Sequence, residues 1–119
     1  MDIDLISSVG TKFDSPSRKK PKDRDYLRLR VIQDKWNLSL DKQKESFRKL
    51  SEVAKKEKPH LILFQELTLN SYACSIPRKD NPNWQPEDLT SGETLNFAKE
   101  IANLTNAFVI MSLYEKINN

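Results

Sequence analysis

Cysteine, histidine and glycine are scarce in this 119-residue chain, which holds one Cys, one His and two Gly. One Cys excludes a disulfide scaffold, and two Gly exclude collagen-like and glycine-linker classes. A zinc-type Cys/His spacing and a glycine-rich phosphate loop are also missing, which removes zinc fingers, nucleotide kinases and dinucleotide enzymes. No apolar run approaches the roughly 20 residues that a membrane-spanning helix needs. Hydrophobic residues make up 37% of the chain, against a usual share of about 45–50%. That composition suits one domain with a modest core.

What is plentiful is charge: 20 Lys and Arg against 17 Asp and Glu, a net +3. Residues 1–30 carry eight basic and five acidic side chains, and residues 31–119 carry twelve of each, so the whole excess sits near the start. Residues 1–25 show no hydrophobic periodicity and contain Ser15-Pro16-Ser17 and Pro21, which predicts a disordered basic leader. A nucleic-acid arm fits less well. Asp14, Asp23 and Asp25 dilute the positive cluster, and no aromatic residues interleave with it. No apolar core follows the basic residues, so they are not a secretory signal. A cytoplasmic location is expected, with no nucleic-acid or membrane partner.

From Tyr26 the pattern changes. Leu27, Leu29 and Val31 alternate with Arg28, Arg30 and Ile32, the period of a strand. Ser39 is placed to cap a helix running to about Glu57, with Phe47, Leu50, Val53 and Ala54 on one face and Glu45/Lys49 and Glu52/Lys56 as i,i+4 pairs. Pro59 ends it. Leu61–Leu67 carries apolar residues on both parities, predicting a central strand covered on both faces. Thr68–Thr90 forms a long polar loop with Pro77, Pro82 and Pro86. Thr90-Ser91-Gly92-Glu93 fits a capping box that opens a helix through Leu95, Ala98, Ile101 and Ala102 to about Thr105. Residues 107–114 give a third strand. The order β-α-β-loop-α-β, over residues 26–119, predicts an α/β layered fold.

Glu66 is the residue with the clearest chemical promise. It ends the most apolar segment, and open α/β sheets bind ligands just beyond the carboxyl ends of their strands. A carboxylate partly withdrawn from water there makes a good general base. A structural Glu paired with a basic neighbour is the alternative. His60 and Cys74 bracket the strand, whose seven residues at about 3.3 Å each hold them roughly 20 Å apart, too far for a nucleophile–base pair. His60 is therefore expected in the helix-to-strand turn. Trp36, Phe47, Phe64, Phe97 and Phe108 read as core or rim packing. Trp84 reads as packing or as a pocket wall.

Leu29-Arg30-Val31-Ile32-Gln33, the amphipathic helix, LILFQELTLNSYAC (61–74) and GETLNFAKEIANLTNAFVIMSLYEK (92–116) together resemble the opening of the carbon–nitrogen hydrolase (nitrilase) family. The likeness spans roughly residues 27–116. It implies an α-β-β-α sandwich and hydrolysis of non-peptide C–N bonds through a Glu-Lys-Cys triad and a covalent thioester, with no metal or organic cofactor. Glu66 falls on the family's general base. Gln65 stands where the family usually has Pro, and Ser71 where it usually has Gly. Gln65-Glu66 and Tyr72-Ala73-Cys74 are similar to β-ureidopropionase-like and N-carbamoylputrescine amidase-like N-carbamoyl amidohydrolases. An N-carbamoyl amine or linear amide substrate is therefore expected, with Tyr72 and Trp84 as substrate-pocket candidates.

The family's Lys and Cys lie beyond its third strand, and neither Lys116 nor Cys74 matches them in position. The chain thus reads as the N-terminal portion of an amidohydrolase that is homo-oligomeric at full length and inactive as residues 1–119 alone. The competing expectation is a truncated, non-catalytic nitrilase-like interaction module.

Overall fold

The computed structural model describes residues 3–8, 10, 16–17, 19–20, 25–72, 77–80 and 85–117. Much of the expected leader, Cys74 and Trp84 lie outside the described residues. Three strands, β1 (Leu29–Ile32), β2 (Leu61–Phe64) and β3 (Phe108–Ile110), form a parallel sheet in the order β1-β2-β3. Two helices, α1 (Leu40–Lys55) and α2 (Glu93–Thr105), connect them, and a short 3-10 turn lies at Arg78–Asp80. The result is a small α/β domain. Among the described residues no helix is long and apolar enough to cross a membrane.

Ser39 caps α1 as its sequence position suggests. Its Oγ accepts from the Lys42 amide at 3.3 Å, and Asp41 and Lys55 complement the helix dipole at the two ends. Glu45 and Lys49 pair at 2.7 Å across one turn. The start of α2 corrects the expected capping box. Its N-cap is Gly92 and not Thr90, with no side-chain cap bond. The Thr90 hydroxyl is engaged instead by the Asp88 carboxylate, which also accepts the Thr90 and Ser91 amides. Glu87 supplies the acceptor that the helix end needs, taking the Thr94 amide at 2.8 Å. Gly92 is required by space: a Cβ there would stand 2.6 Å from the Asp88 carbonyl oxygen. Asn106 ends α2 in the left-handed conformation that Asn tolerates.

Both helices lie on one face of the sheet, as two successive crossovers taken in the same direction produce when they share the usual hand. Accordingly α1 and α2 pack on each other, with Arg48 donating to Glu100 at 2.5 and 3.1 Å and Lys44 paired with Glu93. Ile32, Ile62 and Phe64 meet Phe47, Ala54, Phe97 and Ile101 between the layers. The Phe47 and Phe64 rings stand edge to face at 5.0 Å.

This one-sided layering overturns two expectations. Among the described residues the central strand is covered on one face only, by α1 and α2. Phe108 is not core but 81% exposed, since its parity points away from the helices. The strands are also shorter than their apolar runs. β2 stops at Phe64, and 111–114 continues past β3 without strand pairing. His60 lies at the amino end of β2, where its Nδ1 accepts the Arg28 amide at 3.0 Å. It is a turn residue, as expected.

Candidate functional site

Beyond Phe64 the chain leaves the sheet through Gln65 and turns over residues 66–69. Leu67, Thr68 and Leu69 are buried while Glu66 is exposed, so the turn is sunk into the protein with one carboxylate projecting from it. Leu67 adopts a positive φ of 51°, strained for an L residue with a side chain. That strain is sustained because the turn is tied on both sides. Towards β1, the Gln65 Oε1 accepts the Asp34 amide at 2.7 Å. Towards β3, the Thr68 amide donates to the Ser112 carbonyl at 3.0 Å and the Ser112 amide donates back to the Thr68 Oγ1 at 3.1 Å. The Thr68 hydroxyl closes the set by donating to the Gln65 carbonyl at 3.0 Å. Glu66 thus stands at the carboxyl edge of the sheet, on a backbone fixed to both neighbouring strand ends.

Its surroundings differ from those expected for it. The carboxylate is in water and not withdrawn from it, because β2 ends two residues earlier and no described element covers the turn. Among the described residues no Lys or Arg is paired with it.

Asp34, just past β1, organises a second polar group. Its Oδ2 accepts from the Ser46 hydroxyl at 2.5 Å and from the Asn37 Nδ2 at 2.8 Å, and its Oδ1 accepts the Lys35 amide at 2.8 Å. Burial raises the Asp34 pKa, but the hydrogen bonds from Ser46, Asn37 and Lys35 outweigh it and leave the carboxyl below its usual value. Gln43 is fully buried on α1, where its Oε1 takes both the Asn37 amide and Asn37 Nδ2.

Beside the Glu66 turn lies a small hollow of about 180 Å³, bordered by Trp36, Leu40, Leu69, Asn70, Glu87 and Glu93 among others. It is smaller than the roughly 300–1,000 Å³ of a typical small-molecule pocket. Trp36 lines this hollow, a rim position compatible with its sequence reading. Tyr72 is exposed and does not border it. Among the described residues no group of three or more His, Cys, Asp or Glu side chains converges to hold a metal ion.

The polar ties that fix Glu66 were not foreseen from sequence. Gln65 and Thr68 flank Glu66 within an apolar run, and Gln43 and Ser46 interrupt the apolar face of α1 at helical spacing. Both are signals of buried hydrogen bonding, because most buried polar groups have partners, although the buried Gln43 Nε2 has none among the described residues. Comparison with family models, with curated proteins and with solved structures finds no match.

Proposed function

We propose that residues 27–116 carry the general-base side of a carbon–nitrogen hydrolase, with Glu66 accepting the proton of a cysteine thiol supplied elsewhere in the active protein. The substrate class is an N-carbamoyl amine or a linear amide, and the layering that accompanies this reading is the α-β-β-α sandwich. The observation that carries the proposal is the mounting of Glu66. An exposed carboxylate sits at the carboxyl edge of a parallel sheet, on a turn bonded to both flanking strand ends. Pre-positioning of this kind is what a base needs, since a misplaced proton acceptor loses most of its effect. Closing the site over the carboxylate would supply the desolvation that the described residues leave out.

The test is Glu66→Gln in the complete gene product, assayed for release of ammonia from N-carbamoyl amines. Turnover should fall by about 10²–10⁴. The melting temperature should hardly move, because an exposed side chain contributes roughly 0.5 kcal/mol or less to stability. Turnover retained in the variant would refute the assignment.

A second reading, a non-catalytic interaction module, is favoured by the open apolar face of the sheet. A complete gene product that binds no such amide and turns none over would favour it.

A further inference from the structure

Backbone pairing between β1 and β2 ends where Ile32 meets Phe64, two residues short of Glu66. A side chain then takes over. The Gln65 Oε1 accepts the Asp34 amide at 2.7 Å, so the link between the two segments continues through a glutamine oxygen. Gln65 is half-buried and Glu66 is exposed, so the bond is partly sheltered from water while the carboxylate beside it is not. The donor is anchored in turn. The Asp34 carboxylate accepts from the Ser46 hydroxyl of α1 and from Asn37 Nδ2, and Asn37 is also held by the Oε1 of Gln43, a fully buried side chain of α1. A path of hydrogen bonds therefore runs from the packed face of α1 to the residue that precedes Glu66. An apolar side chain at position 65 would extend the LILF run, yet leave the Asp34 amide without this acceptor.

We propose that Gln65 is a positioning residue for Glu66: its bond to the Asp34 amide sets the place and direction from which the carboxylate meets the thiol. This inference rests on the reading of Glu66 as the base and adds how that base is aimed. Ties fall on both sides of Glu66, at Gln65 towards β1 and at Thr68 towards β3, and they act at different points. Thr68 anchors the turn after the strained Leu67. Gln65 fixes the main chain where the Glu66 side chain begins. Losing that tie displaces the carboxylate while leaving its chemistry and the packed layers intact, and a shift of about 1 Å at a reacting group can cost about 10²-fold in rate. Gln65 itself touches neither substrate nor thiol, so its effect on the reaction passes through Glu66.

The experiment compares Gln65→Met, Gln65→Glu, Glu66→Gln and the double variant of Gln65→Met with Glu66→Gln in the complete gene product, by ammonia release from N-carbamoyl amines. Gln65→Met keeps length and bulk but loses the acceptor. Its kcat should fall by about 10–100-fold with KM within about twofold. Gln65→Glu retains an oxygen for the Asp34 amide and should recover most of that loss. The added charge near Glu66 should also move the acid limb of its pH–rate profile upward. Because Gln65 acts through Glu66, the double variant should be no slower than Glu66→Gln alone. Circular dichroism of each variant should match that of the unaltered protein. With Glu66→Gln slow, full turnover in Gln65→Met, or losses that multiply in the double variant, would overturn this inference and leave Glu66 as the base. Should Gln65→Met not fold, low turnover in a folded Gln65→Glu would overturn it too, and recovered turnover with a raised acid limb would support it. Turnover undiminished in Glu66→Gln would remove the base and this inference together.

Discussion

Asp34 shows how a single carboxylate can hold the end of a strand. Three donors converge on it, from the Ser46 hydroxyl, the Asn37 amide group and the Lys35 main chain, while its own amide holds Gln65 and so the turn that bears Glu66. Its folded-state pKa is lowered, below an unfolded value of about 3.9. Stability from this group is therefore complete above the unfolded pKa and is lost as pH falls through the lower folded one. Asp34→Asn keeps the shape but replaces one acceptor oxygen with a donor, which should cost about 1–3 kcal/mol at pH 7. Chemical denaturation of both proteins at pH 7 and near pH 2 tests this. The difference should shrink at the acid end, and a gap independent of pH would show that charge plays no part.

At the scale of elements, local signals and long-range ones fared differently. Ser39 and the apolar spacing through Phe47 and Ala54 are local, so α1 was legible almost to its ends, and Asn106 closes α2 where the periodicity stops. Strand surroundings are not local. Phe108 and Phe64 look alike in sequence, yet one is exposed and the other buried, because both crossovers place their helices on the same side. The position of Glu66 at the sheet edge was legible from the end of an apolar run. Its exposure was not, since that depends on what other segments cover. The α1–β2 joint carries a testable strain. Lys58 is exposed with φ of 50°, in the region that favours glycine. Its carbonyl bond to Arg28 would survive loss of the side chain. Lys58→Gly should therefore raise stability by about 0.5–1 kcal/mol, after allowing for the greater freedom of glycine when unfolded. Lys58→Ala, still strained, should gain much less. A lower melting temperature for the Gly variant would contradict this account.

Across the whole molecule, the apolar contacts lie between the sheet and its helices, while the carboxyl edge is laced by polar bonds. The segment after β3 runs along that edge. Ser112 exchanges two hydrogen bonds with Thr68, the Glu87 amide donates to the Tyr114 carbonyl at 2.7 Å, and the Lys116 amide donates to the Glu87 carbonyl at 2.8 Å. Glu87 then reaches the start of α2 through Thr94. If these bonds fix the edge, loop amides there should open only when the sheet itself opens, which is the behaviour of one cooperative unit. Hydrogen exchange should then find the amides of Thr68 and Ser112 protected within about tenfold of those of Leu61 and Phe108 in the strands. Thr68→Val retains the shape while removing the hydroxyl, so the Ser112 amide loses its acceptor and should exchange at least about tenfold faster. The strand amides should stay nearly unchanged. Were Thr68 and Ser112 to exchange at the rates of an unstructured loop in the unaltered chain, the Glu66 turn would not be held. A base without fixed geometry loses the argument for its role.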